Sequence, residues 1–254
     1  MPAVLKLLLP STRYLDYATE VEGLKCMWGA SGSVQLLAAG TDFSYKGTTW
    51  RAILLDYCDG GSLEDLMDAR LKQQGGGTLW GAQTALLFDE ATLRLLMRQL
   101  LGALAQVHAA NMIHLDIKPA NLLLKRGEIK ISGKNAQHFG CAVKRSSRGG
   151  RFETEGGGTM LYMAKEVRDA RKGVVSEDGI NEKADVFSAG CVLAQMAFVH
   201  GSSALYAFTR HMNIRPVPGF VSPGLVAYLH RVTDPDPRRR PSVAEALQDQ
   251  WMQG

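Results

Sequence analysis

The sequence predicts an α+β fold in two unequal parts, a small strand-rich part followed by a larger helical one. Three observations predict it. Short apolar runs separated by polar or glycine-containing breaks occupy much of residues 3–57. A glycine break, Asp59-Gly60-Gly61-Ser62, ends that pattern. Beyond it apolar residues recur at helical spacing, most widely from Leu93 to Val107.

The elements follow in order. Ala3 to Leu9 is a short apolar run, broken by Lys6 and ended by Pro10, and reads as a strand. Tyr14 to Trp28 reads as a helix, because Tyr17, Val21, Leu24 and Trp28 share one face. Val34 to Ala39 and Thr49 to Tyr57 read as strands joined by a polar turn, Asp42 to Gly47. Leu63 to Leu71 is a short helix, and Gln73 to Gly77 a glycine-rich insertion. From Asp89 the chain turns helical, with Leu93, Leu96, Met97, Leu100, Leu101, Leu104 and Val107 forming the stripe of a core helix. Asn121 to Leu124 and Glu128 to Ser132 are strand-like, and Lys144 to Gly158 is a loop rich in Gly, Arg, Ser and Glu. Ala184 to Val199, Val221 to Val232 and Val243 to Trp251 read as helices, and no internal repeat is present.

With 254 residues, 46% hydrophobic and 21% charged, the chain has the composition of a globular protein able to bury a large core. The net charge of +4 is mild. Its basic clusters, Lys144 to Arg151 and Arg238 to Arg240, carry no interleaved aromatics, so no nucleic-acid partner is expected. The 4 cysteines, Cys26, Cys58, Cys141 and Cys191, form no Cys-x-x-Cys pair. That argues against a zinc site or a disulfide scaffold and fits a reducing compartment. No apolar run spans a bilayer and the start carries no signal-like core, so a cytoplasmic or nuclear location without membrane contact is expected.

The stretch that carries chemistry is His114-Leu115-Asp116-Ile117-Lys118-Pro119-Ala120-Asn121, followed by the apolar Leu122-Leu123-Leu124. Phosphoryl transfer from ATP to a hydroxyl needs an acid to take the proton, a cation to offset charge on the moving group, and an oxygen ligand for magnesium. Asp116, Lys118 and Asn121 supply that set in order. The stretch resembles the catalytic loop of eukaryotic protein kinases, usually H-R-D-x-x-x-x-N, with Leu115 in place of Arg.

The likeness extends along the chain. Asp56-Tyr57-Cys58-Asp59-Gly60-Gly61-Ser62-Leu63 resembles the hinge between the two kinase lobes, whose backbone binds the adenine edge. The resemblance implies Leu55 as gatekeeper, Leu123 as the floor of the adenine site and Val4 as part of its roof, with Cys58 a hinge residue rather than a reactive thiol. Ala3-Val4-Leu5-Lys6 resembles the strand whose lysine reaches the α- and β-phosphates, with Glu20, or failing it Glu22, as its partner. Gly158-Thr159-Met160-Leu161-Tyr162-Met163-Ala164-Lys165-Glu166 resembles the end of an activation segment, with Lys165 where Pro is usual. Thr159 with Lys118 resembles the serine/threonine class. Glu166 would pair structurally with Arg240, or Arg239. Asp185-Val186-Phe187-Ser188-Ala189-Gly190 resembles the start of the central large-lobe helix, whose Asp braces the catalytic loop. Asp234-Pro235 and the last helix complete the lobe.

The resemblance therefore implies one protein-kinase-like domain over residues 1–254, with a partial small lobe and hinge at 1–58 and the large lobe at 59–254. It implies ATP and Mg2+ as cofactors and serine- or threonine-bearing proteins as substrates. Two departures bear on function. No glycine-rich loop precedes Lys6 in this sequence, so the small lobe is expected to be incomplete. In Ile131-Ser132-Gly133-Lys134-Asn135-Ala136-Gln137-His138-Phe139-Gly140, His138 stands where the metal-binding Asp of Asp-Phe-Gly is usual, after a short insertion. A neutral imidazole is a poor magnesium ligand. The alternative is thus a pseudokinase, a binding or scaffold module with little or no phosphotransfer.

Overall fold

A computed structural model describes residues 2–8, 14–40, 43–74, 86–132, 143–144, 160–174, 179–198 and 219–254. In the small lobe, β1 (Ala3–Leu8) and β2 (Leu36–Ala39) flank β4 (Thr48–Asp56), while β3 (Phe43–Tyr45) pairs with the beginning of β4. All pairings are antiparallel, and the register sets Val4 opposite Leu55 and Lys6 opposite Ile53. Helix α1 (Tyr14–Cys26) buries Glu20, Val21 and Leu24.

Two expectations for the small lobe need correction. The helix predicted to reach Trp28 ends at Cys26, so Met27 fills the core and Trp28 stands 79% exposed. Gly29, at φ +80, lies just beyond, and the Ala30 N–H closes the turn on the Met27 carbonyl. The turn predicted over Asp42 to Gly47 contains β3. Only Lys46 and Gly47, both left-handed at φ 50 and 73, make the turn, as a tight two-residue hairpin requires.

Helix α2 (Leu63–Gln73) begins in a capping box. Ser62 accepts from the Asp65 N–H, and the Asp65 carboxylate accepts from the Ser62 N–H at 2.8 Å. Gln73, expected in the insertion, is the last residue of this helix, and residues 75–77 lie outside the described residues.

The large lobe is organised on α3 (Glu90–Ala109), capped by Asp89, which buries the whole predicted stripe. A short pairing of β5 (Met112–Ile113) with β8 (Val143–Lys144) places Lys144 in a strand, while the rest of its predicted loop lies outside the described residues. β6 (Leu122–Lys125) and β7 (Glu128–Ile131) form a hairpin turning at Arg126 and Gly127, φ 53 and 79. Helix α4 (Lys165–Ala170) precedes α5 (Lys183–Ala197), which is buried on nearly every side. Helix α6 (Pro223–Val232) packs on α5. The predicted helix Val243 to Trp251 is two short ones, α7 (Val243–Leu247) and α8 (Gln250–Gln253). Asp249 interrupts them because its carboxylate caps the second, accepting from the Trp251 N–H at 2.9 Å. Among the described residues no helix is long and apolar enough to cross a membrane.

One buried ion pair ties α4 to the chain end. Arg240 donates to Glu166 at 2.7 and 3.3 Å and also to the Lys183 and Asp234 carbonyls. Arg239 is instead exposed and pairs with Asp234 at 3.4 Å. Glu166→Ala would strand the Arg240 charge in the core. It should cost about 3 kcal/mol in urea unfolding, against less than about 0.5 kcal/mol for Arg239→Ala.

Candidate active site

Between β5 and β6 the chain runs from His114 to Asn121 in a bent path. Leu115 adopts φ 61, a left-handed conformation that a side-chain-bearing residue takes only when its surroundings enforce it. Asp185, in the first turn of α5, does the enforcing. Its two carboxylate oxygens accept the backbone N–H groups of His114 and Leu115, each at 2.8 Å. Oδ2 also lies 2.9 Å from Nε2 of His108, at the end of α3. Burial alone would push the Asp185 carboxyl up. The hydrogen bond and charge of His108, with those of His114, outweigh it and hold the group below the usual carboxylate range. The side chain of Leu115, where the kinase pattern has Arg, joins the apolar core.

The loop so held brings Asp116, Lys118 and Asn121 together. Asp116 is buried. The Asn121 carboxamide donates to the Asp116 carbonyl at 2.8 Å and to its Oδ2 at 2.7 Å. Lys118 Nζ stands 3.2 Å from the same Oδ2. Residues Pro119–Asn121 form a short 3-10 turn, closed by the Asn121 N–H on the Lys118 carbonyl at 2.9 Å. An acid, a cation and an amide thus converge on one point.

The small lobe supplies a second cation. Lys6 Nζ meets Glu20 Oε1 at 2.5 Å, with the Glu20 side chain only 2% exposed. Glu22 lies on the exposed side of α1, so Glu20 is the partner. Val4, two residues before Lys6 and so on the same face of β1, is 41% exposed. Its cross-strand neighbour Leu55 is buried.

After β4 the connecting segment is pinned to β6. The Gly60 N–H bonds the Leu124 carbonyl at 2.9 Å, and the Leu124 N–H bonds the Gly61 carbonyl at 2.8 Å. Glycine is required at 60, since a Cβ there would lie 2.8 Å from the Leu124 Cβ. A bridge between Ser62 and Leu123 sets the half-buried Leu123 beside the segment. Asp56 gives its N–H to the Gln35 carbonyl at 2.9 Å and pairs its carboxylate with Lys125. Burial, then the charge of Asp56, pushes the Cys58 thiol up from the ordinary value, which favours its neutral form. His138, Phe139, Gly140 and Thr159 lie outside the described residues.

The protein kinase domain model matches residues 17–252. The chain belongs to the protein kinase family. This kinase domain is similar to a probable serine/threonine-protein kinase of Dictyostelium discoideum, 30% identical over 217 residues, which cover 82% of the chain and 16% of that relative. It is also similar to the serine/threonine-protein kinase cds1 of Schizosaccharomyces pombe, at 31% identity over 78% of the chain and 41% of the relative. CBL-interacting protein kinase 22 of Oryza sativa subsp. japonica matches at 28% over 95% of the chain and 49% of the relative. The kinase domain therefore spans less than half the length of each of these relatives.

Sequence reasoning singled out Asp185 but missed His108. A histidine at the end of an apolar stripe has no signal of its own, and only the packing of α3 on α5 brings it to Asp185.

Because the folded Asp185 value lies below the unfolded one, near 3.9, its contribution is full above that value and disappears as the pH falls below it. The unfolding free energy of the kinase domain should therefore fall more steeply as the pH drops below about 4 than that of Asp185→Asn, measured by urea titration.

Proposed function

We propose that the domain transfers the γ-phosphoryl group of ATP to serine and threonine hydroxyls of proteins. The observation that carries this reading is the convergence of Asp116, Lys118 and Asn121 on a loop held by Asp185. The serine/threonine kinase names of the relatives support it.

The substrate hydroxyl oxygen attacks the γ-phosphorus, the bond to the β-bridging oxygen breaks, and ADP departs with that electron pair. Asp116 orients the hydroxyl and accepts its proton. Lys118 offsets negative charge on the group in flight. Lys6, steadied by Glu20, holds the α- and β-phosphates. Val4 and Leu123 enclose the adenine from two sides, Leu55 closes the rear of its slot, and the backbone of the segment from Asp56 to Cys58 reads its edge.

The donor set fits magnesium carried in with the nucleotide. Among the described residues no group of three His, Cys, Asp or Glu could hold a metal unaided, and magnesium typically takes one or two protein oxygens plus phosphates. Asn121, anchored through its amide nitrogen, directs the other end of its carboxamide, a hard oxygen, away from Asp116. The bound ion would neutralise phosphate charge during transfer.

One observation favours a second reading. His138 replaces a metal-binding carboxylate in the sequence, which suits a module that binds nucleotide and transfers little. Two measurements separate the readings. Mg-ATP should raise the melting temperature on either reading that retains nucleotide binding, whereas only an enzyme labels a serine/threonine peptide library from γ-labelled ATP. On the enzyme reading, Asp116→Asn lowers transfer at least about 100-fold with the thermal shift retained, while Lys6→Met weakens both.

A further inference from the structure

Helix α5 is buried along almost its whole length. From Ala184 to Ala197 only Gln195 is not buried, although Ala194 and Met196 on either side of it are fully enclosed. The helix therefore opens to the outside at one polar side chain.

That side chain is held in place. Gln195 Oε1 accepts the Tyr162 O–H at 2.7 Å. Tyr162 is buried and fastened at its other end, because the Ser188 hydroxyl donates to its carbonyl at 2.8 Å. Ser188 and Gln195 lie seven residues apart on one face of α5, so Tyr162 runs along that face for about two turns. Arg168 holds the next carbonyl, that of Met163, at 2.6 Å. With its oxygen committed to Tyr162, Gln195 turns its amide nitrogen to the other side. That nitrogen makes no hydrogen bond among the described residues and is open to solvent. A donor fixed in advance and without a protein acceptor costs a ligand little ordering.

The opening lies on the side of the domain that carries Asp116. Burial pushes the Tyr162 phenol well above its usual value. The Gln195 hydrogen bond opposes the rise, and the charges of Cys191, Glu64 and Asp116 add to it. Glu64, in the first turn of α2, and Asp116, in the catalytic loop, are thus both near the Tyr162–Gln195 pair. They also limit what can bind the free N–H. A carboxylate would be repelled by both acids. An ammonium or guanidinium would find no acceptor on an amide nitrogen. A neutral carbonyl meets neither obstacle.

We propose that Gln195 reads the peptide substrate, donating from its amide nitrogen to the side-chain carbonyl of a glutamine or asparagine near the serine or threonine that is phosphorylated. Gln195 determines specificity and takes no part in the transfer itself. Because the bound peptide is taken to be the substrate, this role rests on the phosphotransfer reading.

Peptides with one central serine or threonine, carrying Gln, Leu or Lys in turn at each flanking position, test it. Each is measured for label taken from γ-labelled ATP and for binding in Mg-ADP by fluorescence polarisation. Wild type is compared with Gln195→Glu, which keeps the acceptor for Tyr162 and loses the outward donor, and with Gln195→Met, which has similar length and no donor. Urea unfolding establishes that each variant is folded. Wild type should favour Gln over Leu at least about threefold at one position. There, Gln195→Met should show no preference and Gln195→Glu should favour Lys over Leu. Wild type that treats Gln and Leu alike at every position, or a preference for Gln that persists in either folded variant, would overturn the proposal. A binding preference without label on any peptide would bear out the role of Gln195 and contradict the phosphotransfer reading alone.

Discussion

The site depends on one buried carboxylate. Asp185 accepts two successive backbone N–H groups and a histidine, and by doing so holds Leu115 in a conformation its side chain disfavours. The reversal at Leu115 directs the following residues so that Asp116, Lys118 and Asn121 meet. An uncompensated carboxylate in that position would be expelled by its own desolvation. Its hydrogen bonds make it tenable, and they make the loop rigid.

The rest of the fold delivers the two lobes to this loop. The Gly60–Leu124 exchange fastens the hinge to the hairpin that follows the catalytic loop. On the other side, the Val34 N–H and Gly32 carbonyl bond to Ile131 at 3.1 and 2.8 Å. Gly32 lies so close to α3 that a Cβ there would come within 2.6 Å of the Ala103 Cα. The Gln106 carboxamide accepts the Gly32 N–H at 3.1 Å. The turn after α1 is thereby seated on the large lobe, which fixes where Glu20 and Lys6 stand relative to Asp116.

Much of this was legible in the sequence because the site's chemistry is contiguous. Asp116, Lys118 and Asn121 lie within six residues, and a short loop leaves them few ways to avoid one another. The α3 stripe was legible because a long helix repeats its burial signal. Short elements were not. A three-residue strand such as Phe43–Tyr45 is too brief to show alternation. Trp28 matched the helical period, yet the chain leaves the helix two residues before it and Met27 takes the interior place. Val243 to Trp251 carried the apolar content of one helix, but the capping carboxylate of Asp249 divided it. His108 reaches Asp185 across 77 residues, a pairing that no local pattern encodes.

The measurement that bears most directly on this account is phosphotransfer by Asp185→Asn, read from γ-labelled ATP on a serine/threonine peptide library alongside Mg-ATP binding by thermal shift. The account predicts a folded variant that still gains stability from Mg-ATP but transfers phosphate at least about tenfold more slowly than wild type, because Leu115 and Asp116 are no longer held. A folded Asp185→Asn variant that transfers at the wild-type rate would contradict it.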